Sequence, residues 1–120
     1  MSTLYKILSQ EDWAAMLREG RLLGASIDLR DGYVHLSSGA QVRETLSLHF
    51  AGRAGLRLLA VDGAGLGEAL RWEPSRGGAL FPHLYAPLPL RALRAVWSVD
   101  VPADGGVSLP SDVDERPSPG

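Results

Sequence analysis

The sequence predicts a single α+β domain with a mostly antiparallel sheet and two early helices. Apolar residues recur at helical spacing at 9–20 and at 38–51, both in the first half of the chain. Strand-like segments dominate the second half, an order that differs from the strand–helix alternation of a parallel sheet. With 120 residues, 45% of them hydrophobic and 22% charged, the chain fits one folded domain of common size.

The first third of the chain predicts a strand, a helix and a second strand. The strand is expected at 4–8, and Ser9 is expected to cap a helix that Gly20 ends. Residues 21–29 have no clear period and are expected to form a loop. The alternating run 33–37 is predicted to be a strand with Tyr33, His35 and Ser37 on one face and Val34 and Leu36 on the core side.

The rest of the chain predicts one more helix and then strands. Ser38 and Gln41 fit a capping box for a helix that Gly52 closes, and the apolar run 56–61 is predicted to be the strand at the centre of the sheet. Further strands are expected at 69–73, 83–86, 92–101 and 107–109. The domain is predicted to span 1–109, and 110–120, which is acidic and rich in proline, is predicted to be a disordered tail.

Composition excludes several classes of function. There is no cysteine, so disulfides, a thiol nucleophile and a zinc–thiolate site are excluded. The formal charge of -2 and the scattered basic residues predict no nucleic-acid partner. No apolar run is long enough to span a membrane and the N-terminus has no signal-peptide core, so no membrane association and a cytoplasmic location are predicted. The oligomeric state is left open, a monomer included.

The segment 71–85, RWEPSRGGALFPHLY, is the strongest candidate for a functional site. It brings together the carboxylate of Glu73, the cation of Arg76, the flexible pair Gly77-Gly78 and the imidazole of His83. Three aromatic residues lie in the same segment, which has no helical period. This mixture predicts one wall of a binding or catalytic cleft.

The other motifs favour no specific chemistry. His35, His83 and Glu73 would make a two-histidine, one-carboxylate metal set if their strands adjoined, but no histidines have ligand spacing and no metal is expected. A Ser–His relay at His35 and Ser37 lacks an acid partner, and Ser37 suits joint ligand contacts better. The glycine-rich run 62–67 has Glu68 where a dinucleotide fingerprint needs a third glycine, and it predicts a turn.

Several longer motifs resemble a bacterial family labelled domain of unknown function 952. They are YKIL at 5–8, DGYVHLSS at 31–38, LRWEPSRGG at 70–78 and LFPHLYAPLPL at 80–90. The resemblance covers roughly 4–109. It implies a fold similar to that of ADP-ribosyltransferases, a split antiparallel sheet with a cleft that binds NAD in the active members.

The resemblance also implies roles for individual residues. Glu73 and His35 are the catalytic candidates, with the carboxylate of Glu73 set against a developing oxocarbenium charge. The candidates for ligand binding are Tyr5, Tyr33, Ser37, Arg76, Gly77 and His83. NAD is the implied cofactor, and a nucleotide or another anionic small molecule is the implied partner. The superfamily's usual order of His-Tyr-Glu or Arg-Ser-Glu does not fit this chain, because Glu73 precedes Pro74 in a different local motif.

Two other interpretations remain open at the level of sequence. The cleft of a non-catalytic module would bind the same kind of ligand, and Glu73 would then repel an anion instead of assisting transfer. Alternatively, the polar cluster would be a hydrogen-bonded brace for the loop 74–82.

Overall fold

The computed structural model describes residues 3–116, except for the side chain of Arg76. The strands and α-helices, in chain order, are β1 (Thr3–Leu8), α1 (Gln10–Glu19), β2 (Arg21–Leu22), α2 (Ser26–Asp31), β3 (Val34–His35), β4 (Ser37–Ser38), α3 (Gly39–His49), β5 (Leu56–Asp62), β6 (Leu70–Pro74), β7 (Leu80–Leu84), β8 (Leu88–Pro89) and β9 (Leu93–Val99). Short 3₁₀ turns lie at Gly63–Ala69, Arg76–Gly78 and Leu90–Ala92. Within this part of the chain no helix is both long enough and apolar enough to cross a bilayer.

The strands form two main sheets and a small third one. The first sheet has the order β4-β1-β5-β9, the second has the order β3-β7-β6, and β2 pairs with β8. Every described strand pair is antiparallel. β5 lies between β1 and β9, which confirms the prediction that this apolar run is a central strand.

α1 begins and ends, and α3 begins, at the local signals that the sequence predicts, whereas α3 ends at His49, before the predicted stop at Gly52. Ser9 Oγ accepts a hydrogen bond from Asp12 N at 3.1 Å at the start of α1, and Gly20 ends the helix with φ 80°. At the start of α3, Gln41 Oε1 accepts from Ser38 N at 3.0 Å, as the predicted capping box requires.

The loop predicted at 21–29 is wrong, because this region contains β2 and most of α2. Asp28 Oδ2 accepts a hydrogen bond from Ala25 N at 2.8 Å at the start of α2, and Gly32 ends this helix with φ 89°. A helix of six residues is too short to show an apolar period. The side chain of Asp28 stabilises the helix, because it caps the first turn and is buried in the domain.

The single strand predicted at 33–37 is divided between the two main sheets. β3 pairs with β7, whereas β4 pairs with β1, and Leu36 joins them. Leu36 is buried and its N–H donates to Pro82 O at 3.0 Å, so the chain stays hydrogen-bonded while it changes sheets. The two main sheets therefore diverge at this point.

Two other predicted strands differ from the structure. β7 begins three residues before the predicted strand at 83–86, because the run from Leu80 pairs with β6 in spite of Pro82. The strand predicted at 107–109 is absent, although Val107 is buried in the core.

Two hydrophobic clusters cover the two faces of the first sheet. One contains Leu4 and Leu8 of β1 with residues of α1, the second sheet and β8. The other contains Tyr5 and Ile7 of β1 with residues of α3 and the C-terminal segment. This division follows the alternation of side chains along β1.

Residues 110–116 of the predicted tail lie against the domain, with a turn at 111–112. Val113 is buried in the α3-side cluster, Tyr5 Oη accepts a hydrogen bond from Asp114 N at 3.3 Å, and both carboxylate oxygens of Glu115 accept from Arg43 at 2.8 and 2.9 Å. The polar composition of this segment predicted disorder, but the burial of Val113 and the ion pair of Glu115 with Arg43 stabilise its contact with the domain. The remainder of the predicted tail, 117–120, lies outside the described residues.

Candidate functional site

A cleft of about 740 Å³ opens where the two main sheets diverge. β1 and β7 contribute to its lining from the two sheets, together with the segment that joins β3 to β4. The first turn of α1, the start of α2 and the end of α3 complete it. Its volume is within the usual range for small-molecule sites.

Five of the predicted site residues line this cleft, namely Tyr5, Tyr33, His35, Ser37 and His83. Glu73 and Gly77 lie outside the lining. Gly77 adopts φ 64° in the 3₁₀ turn, and a Cβ atom there would meet no neighbour. The side chain of Arg76 is outside the described part of the structure, so its role stays a prediction.

Glu73 lies outside the cleft lining, and two side chains donate hydrogen bonds to one of its carboxylate oxygens. Glu73 Oε1 lies 2.8 Å from His83 Nδ1 and 2.7 Å from Tyr85 Oη. The hydrogen bonds from Tyr85 and His83 lower the pKa of Glu73. In turn, the hydrogen bond to Glu73 raises the pKa of Tyr85. Glu73 is therefore an ionised carboxylate that orients His83, whose side chain is buried.

Tyr33 stacks on His83 and lies tilted against His35 at the border between β3 and β7. Its ring centroid is 4.0 Å from that of His83 at an interplanar angle of 27°, and 4.6 Å from that of His35. His35 and His83 are direct partners across the two strands, as the sequence hypothesis of adjoining strands required. Burial raises the pKa of Tyr33. The neutral phenol thus stays part of a packed aromatic and imidazole wall.

A buried ion pair that the sequence analysis missed lies beneath this wall. Lys6 and Asp28 are 5% and 1% exposed, and Lys6 Nζ lies 2.8 Å from Asp28 Oδ2 and 3.1 Å from Oδ1. Asp28 Oδ1 also accepts from His35 N at 3.0 Å and lies 2.6 Å from His35 Nδ1. One carboxylate therefore joins β1, α2 and β3.

Electrostatics keep Asp28 ionised within this pair. Burial alone raises the pKa of Asp28, but the hydrogen bond from His35 and the charge of Lys6 outweigh burial and hold that pKa well below its usual range. Burial lowers the pKa of Lys6, and the nearby Asp28 opposes this effect. The sequence does contain a signal for this ion pair. Lys6 lies on the same strand face as Leu4 and Leu8, and a lysine on a buried face needs a buried acidic partner.

Each ring nitrogen of His35 contacts a carboxylate. Its Nδ1 faces Asp28, and its Nε2 lies 3.0 Å from Asp31 Oδ2. The hydrogen bond from Arg30 lowers the pKa of Asp31, so this second carboxylate is also an acceptor. Both nitrogens of His35 thus have acidic partners within the protein, and this geometry favours a structural over a catalytic role for His35.

The remaining predicted residues have partners of their own. Ser37 is buried, and its Oγ lies 3.1 Å from Thr45 Oγ1. The ring of Tyr5 is 2% exposed and its hydroxyl contacts the C-terminal segment, which argues against Tyr5 as a freely stacking platform. In residues 3–116 no group of three His, Asp or Glu side chains is arranged to hold a metal ion.

Arg53 is a cation of the cleft lining that the sequence analysis did not select. It is exposed, and its guanidinium lies 5.2 Å from the ring centroid of Phe50, a cation–π distance. Acidic side chains of α1, Glu11 and Asp12, also line the cleft. Arg53 follows a helix end and has no motif around it, so nothing in the sequence distinguished it.

Fold and site together define a small α+β protein with a polar and aromatic cleft between two antiparallel sheets. The family model for a protein of unknown function (DUF952) matches residues 7–96, and the chain belongs to this family. No curated protein matches the chain.

Protein CC0527 from Caulobacter crescentus is a structural relative. Its X-ray structure is 48% identical in sequence, with a TM-score of 0.84 over 89% of this chain and 94% of that chain. A solution NMR structure of CC0527 gives 50% identity and a TM-score of 0.77, covering 89% of this chain and 91% of that one. These relatives support the mixed fold with antiparallel sheets. They do not show a likeness to ADP-ribosyltransferases, which stays a prediction.

Proposed function

We propose that the cleft binds a nucleotide-like small molecule, with NAD as the first candidate. The observation that carries this proposal is the convergence of Tyr33, His35, Ser37 and His83 on one cleft of about 740 Å³ at the divergence of two sheets. An aromatic wall with a few fixed polar groups is typical of sites that bind a flat, polar ligand.

One cation of the lining supports a ligand with a separate anionic part, although Glu11 and Asp12 also line the cleft. Within the described residues, the guanidinium of Arg53 contacts the Phe50 ring and has no ion-pair partner. Lys6 also lines the cleft, but Asp28 neutralises it. Arg53 is therefore the described cation that suits a phosphate group best.

The position of Glu73 favours binding without transfer. A transferase or NAD glycohydrolase would use a carboxylate near the glycosidic carbon to stabilise the oxocarbenium-like charge. Glu73 lies outside the cleft lining and its Oε1 already accepts from His83 and Tyr85. Binding by a non-catalytic cleft is therefore the first proposal, and NAD-dependent ADP-ribosyl transfer is the second, supported by the family resemblance alone.

Calorimetric titration with NAD, ADP-ribose, nicotinamide and inorganic phosphate tests the proposal. We expect saturable binding of NAD and ADP-ribose. Arg53→Ala should weaken this binding by about tenfold or more, because hydrogen bonds to charged groups contribute about 1.5–3 kcal/mol. Arg94→Ala is the matched control, because Arg94 is an exposed arginine of β9 outside the cleft lining, and it should bind like the unchanged protein.

Chromatography of the incubated nucleotide separates the two proposals. Intact NAD after prolonged incubation is the result expected of a binding cleft, whereas release of nicotinamide would favour transfer or hydrolysis. Failure of all four compounds to bind would overturn the nucleotide proposal.

A further inference from the structure

His83 lines the cleft, and within the described residues its ring has one hydrogen-bonding partner, Glu73, at Nδ1. The side chain is 4% exposed, and Nδ1 lies 2.8 Å from Glu73 Oε1. Glu73 lies outside the cleft lining, whereas His83 belongs to it. The ring edge on the cleft side is therefore the edge away from Glu73, which carries Nε2.

The partner of Nδ1 determines which nitrogen carries the proton. Glu73 is ionised, since hydrogen bonds from Tyr85 and His83 lower its pKa, and an ionised carboxylate only accepts. His83 Nδ1 must therefore donate. In the neutral imidazole Nε2 is then an acceptor with a lone pair.

We propose that His83 Nε2 accepts a hydrogen bond from a hydroxyl group of the ligand, so that this part of the cleft selects a neutral hydroxylated group such as a ribose. This inference rests on the proposed function for the identity of the whole ligand, but the choice of a hydroxyl follows from His83 itself. A buried acceptor that stays unsatisfied carries its desolvation penalty, and a donor in the cleft removes that penalty.

The same geometry disfavours an anionic group at this point. With the ring neutral, a phosphate or carboxylate oxygen would meet the lone pair of Nε2, with the negative charge of Glu73 on the other side of the ring. His35 does not offer the same acceptor, because Asp28 and Asp31 face both of its nitrogens. His83 is therefore the specificity-determining histidine, and Glu73 is its positioning residue.

Nitrogen NMR of histidine side chains tests the tautomer without any ligand. In the ¹⁵N-labelled protein we expect the His83 ring to carry its proton on Nδ1. Glu73→Met removes the acceptor and should shift the proton toward Nε2. Tyr85→Phe is the matched control, because it removes the other donor to the same oxygen and keeps the His83 contact. A proton on Nε2 in the unchanged protein would overturn the proposal.

Titration of the same sample with ribose and with inorganic phosphate tests the selection. We expect ribose to shift the His83 Nε2 resonance and phosphate to leave it unmoved. In calorimetric titration, ribose binding should be lost in His83→Asn, whose amide can still reach Glu73 but lacks an atom at the position of Nε2. If NAD fails to bind while ribose shifts Nε2, the nucleotide proposal fails and this one stands. An Nε2 resonance that ignores ribose, or responds to phosphate instead, would overturn it.

Discussion

Replacement of Asp28 by Asn is expected to lower the free energy of unfolding by about 3–5 kcal/mol, because it leaves a buried charge without its counterion. Lys6 Nζ has contacts at 2.8 and 3.1 Å to the two oxygens of Asp28, and Lys6 is only 5% exposed. The amide of Asn is neutral and offers a single oxygen. The variant would also weaken the contacts of Asp28 with Ala25 N at the start of α2 and with His35 N of β3.

Chemical denaturation of a double-mutant cycle measures this coupling. Lys6→Met removes the cation with a side chain of similar length, so Lys6→Met/Asp28→Asn should be less destabilised than the sum of the two single variants. Additive losses would mean that the ion pair contributes no coupling. Arg30→Ala, which disrupts an exposed ion pair with Asp31, is the control and should change stability by less than about 1 kcal/mol.

The same pair predicts the response of stability to acid. The pKa of Asp28 is lower in the folded state than in the unfolded chain, where it is about 3.9. The folded state thus gains stability from Asp28 above that unfolded pKa and loses it as the pH falls toward the folded pKa. The difference in stability between the unchanged protein and Asp28→Asn should therefore narrow between about pH 5 and pH 2. A constant difference across this range would contradict the assignment.

Replacement of Gly39 by Ala is expected to release the C-terminal segment 110–116 from the domain. Gly39 begins α3, and a Cβ atom there would overlap the backbone carbonyl oxygen of Asp114. Backbone cannot move aside as a flexible side chain can, so the segment must shift. The burial of Val113 would be lost with it, and the expected loss of stability is about 1–3 kcal/mol.

Limited proteolysis with denaturation measures this release. Gly39→Ala should make the segment 110–116 susceptible to cleavage, and Val113→Ala should do the same more weakly. Ala40→Ser, at an exposed neighbouring position of α3, is the control and should stay protected. Protection of the segment in Gly39→Ala would mean that α3 and the segment adjust without separating.

Local signals made part of the fold predictable. Ser9, Gly20 and the pair Ser38–Gln41 act within a single helical turn, and their contacts occur as the sequence predicts. The helix α2 depends instead on Asp28, whose partner Lys6 is 22 residues away in the chain. The division of β3 from β4 likewise depends on which sheet each residue joins. Contacts between residues far apart in the chain decide these features, and such contacts produce no periodic pattern in the sequence.

The sequence predicted most of the residues that line the candidate site, but it did not predict what each of them contacts. Alternation placed Tyr33, His35 and Ser37 together, and all three line the cleft. The hairpin of β6 and β7 turns Glu73 toward His83 and away from the cleft, which depends on strand register. Arg53 reaches the cleft only because α3 ends beside β1, a placement with no local signature.

Chemical-shift mapping of the ¹⁵N-labelled protein during titration with NAD tests most directly whether the cleft is a nucleotide site. We expect saturable shifts confined to the lining, with the largest at 5–7, 33–37, 49–53 and 81–83. The amides of β9, on the far side of β5, should remain unchanged. An absence of shifts at millimolar NAD, or shifts centred away from these four segments, would contradict it.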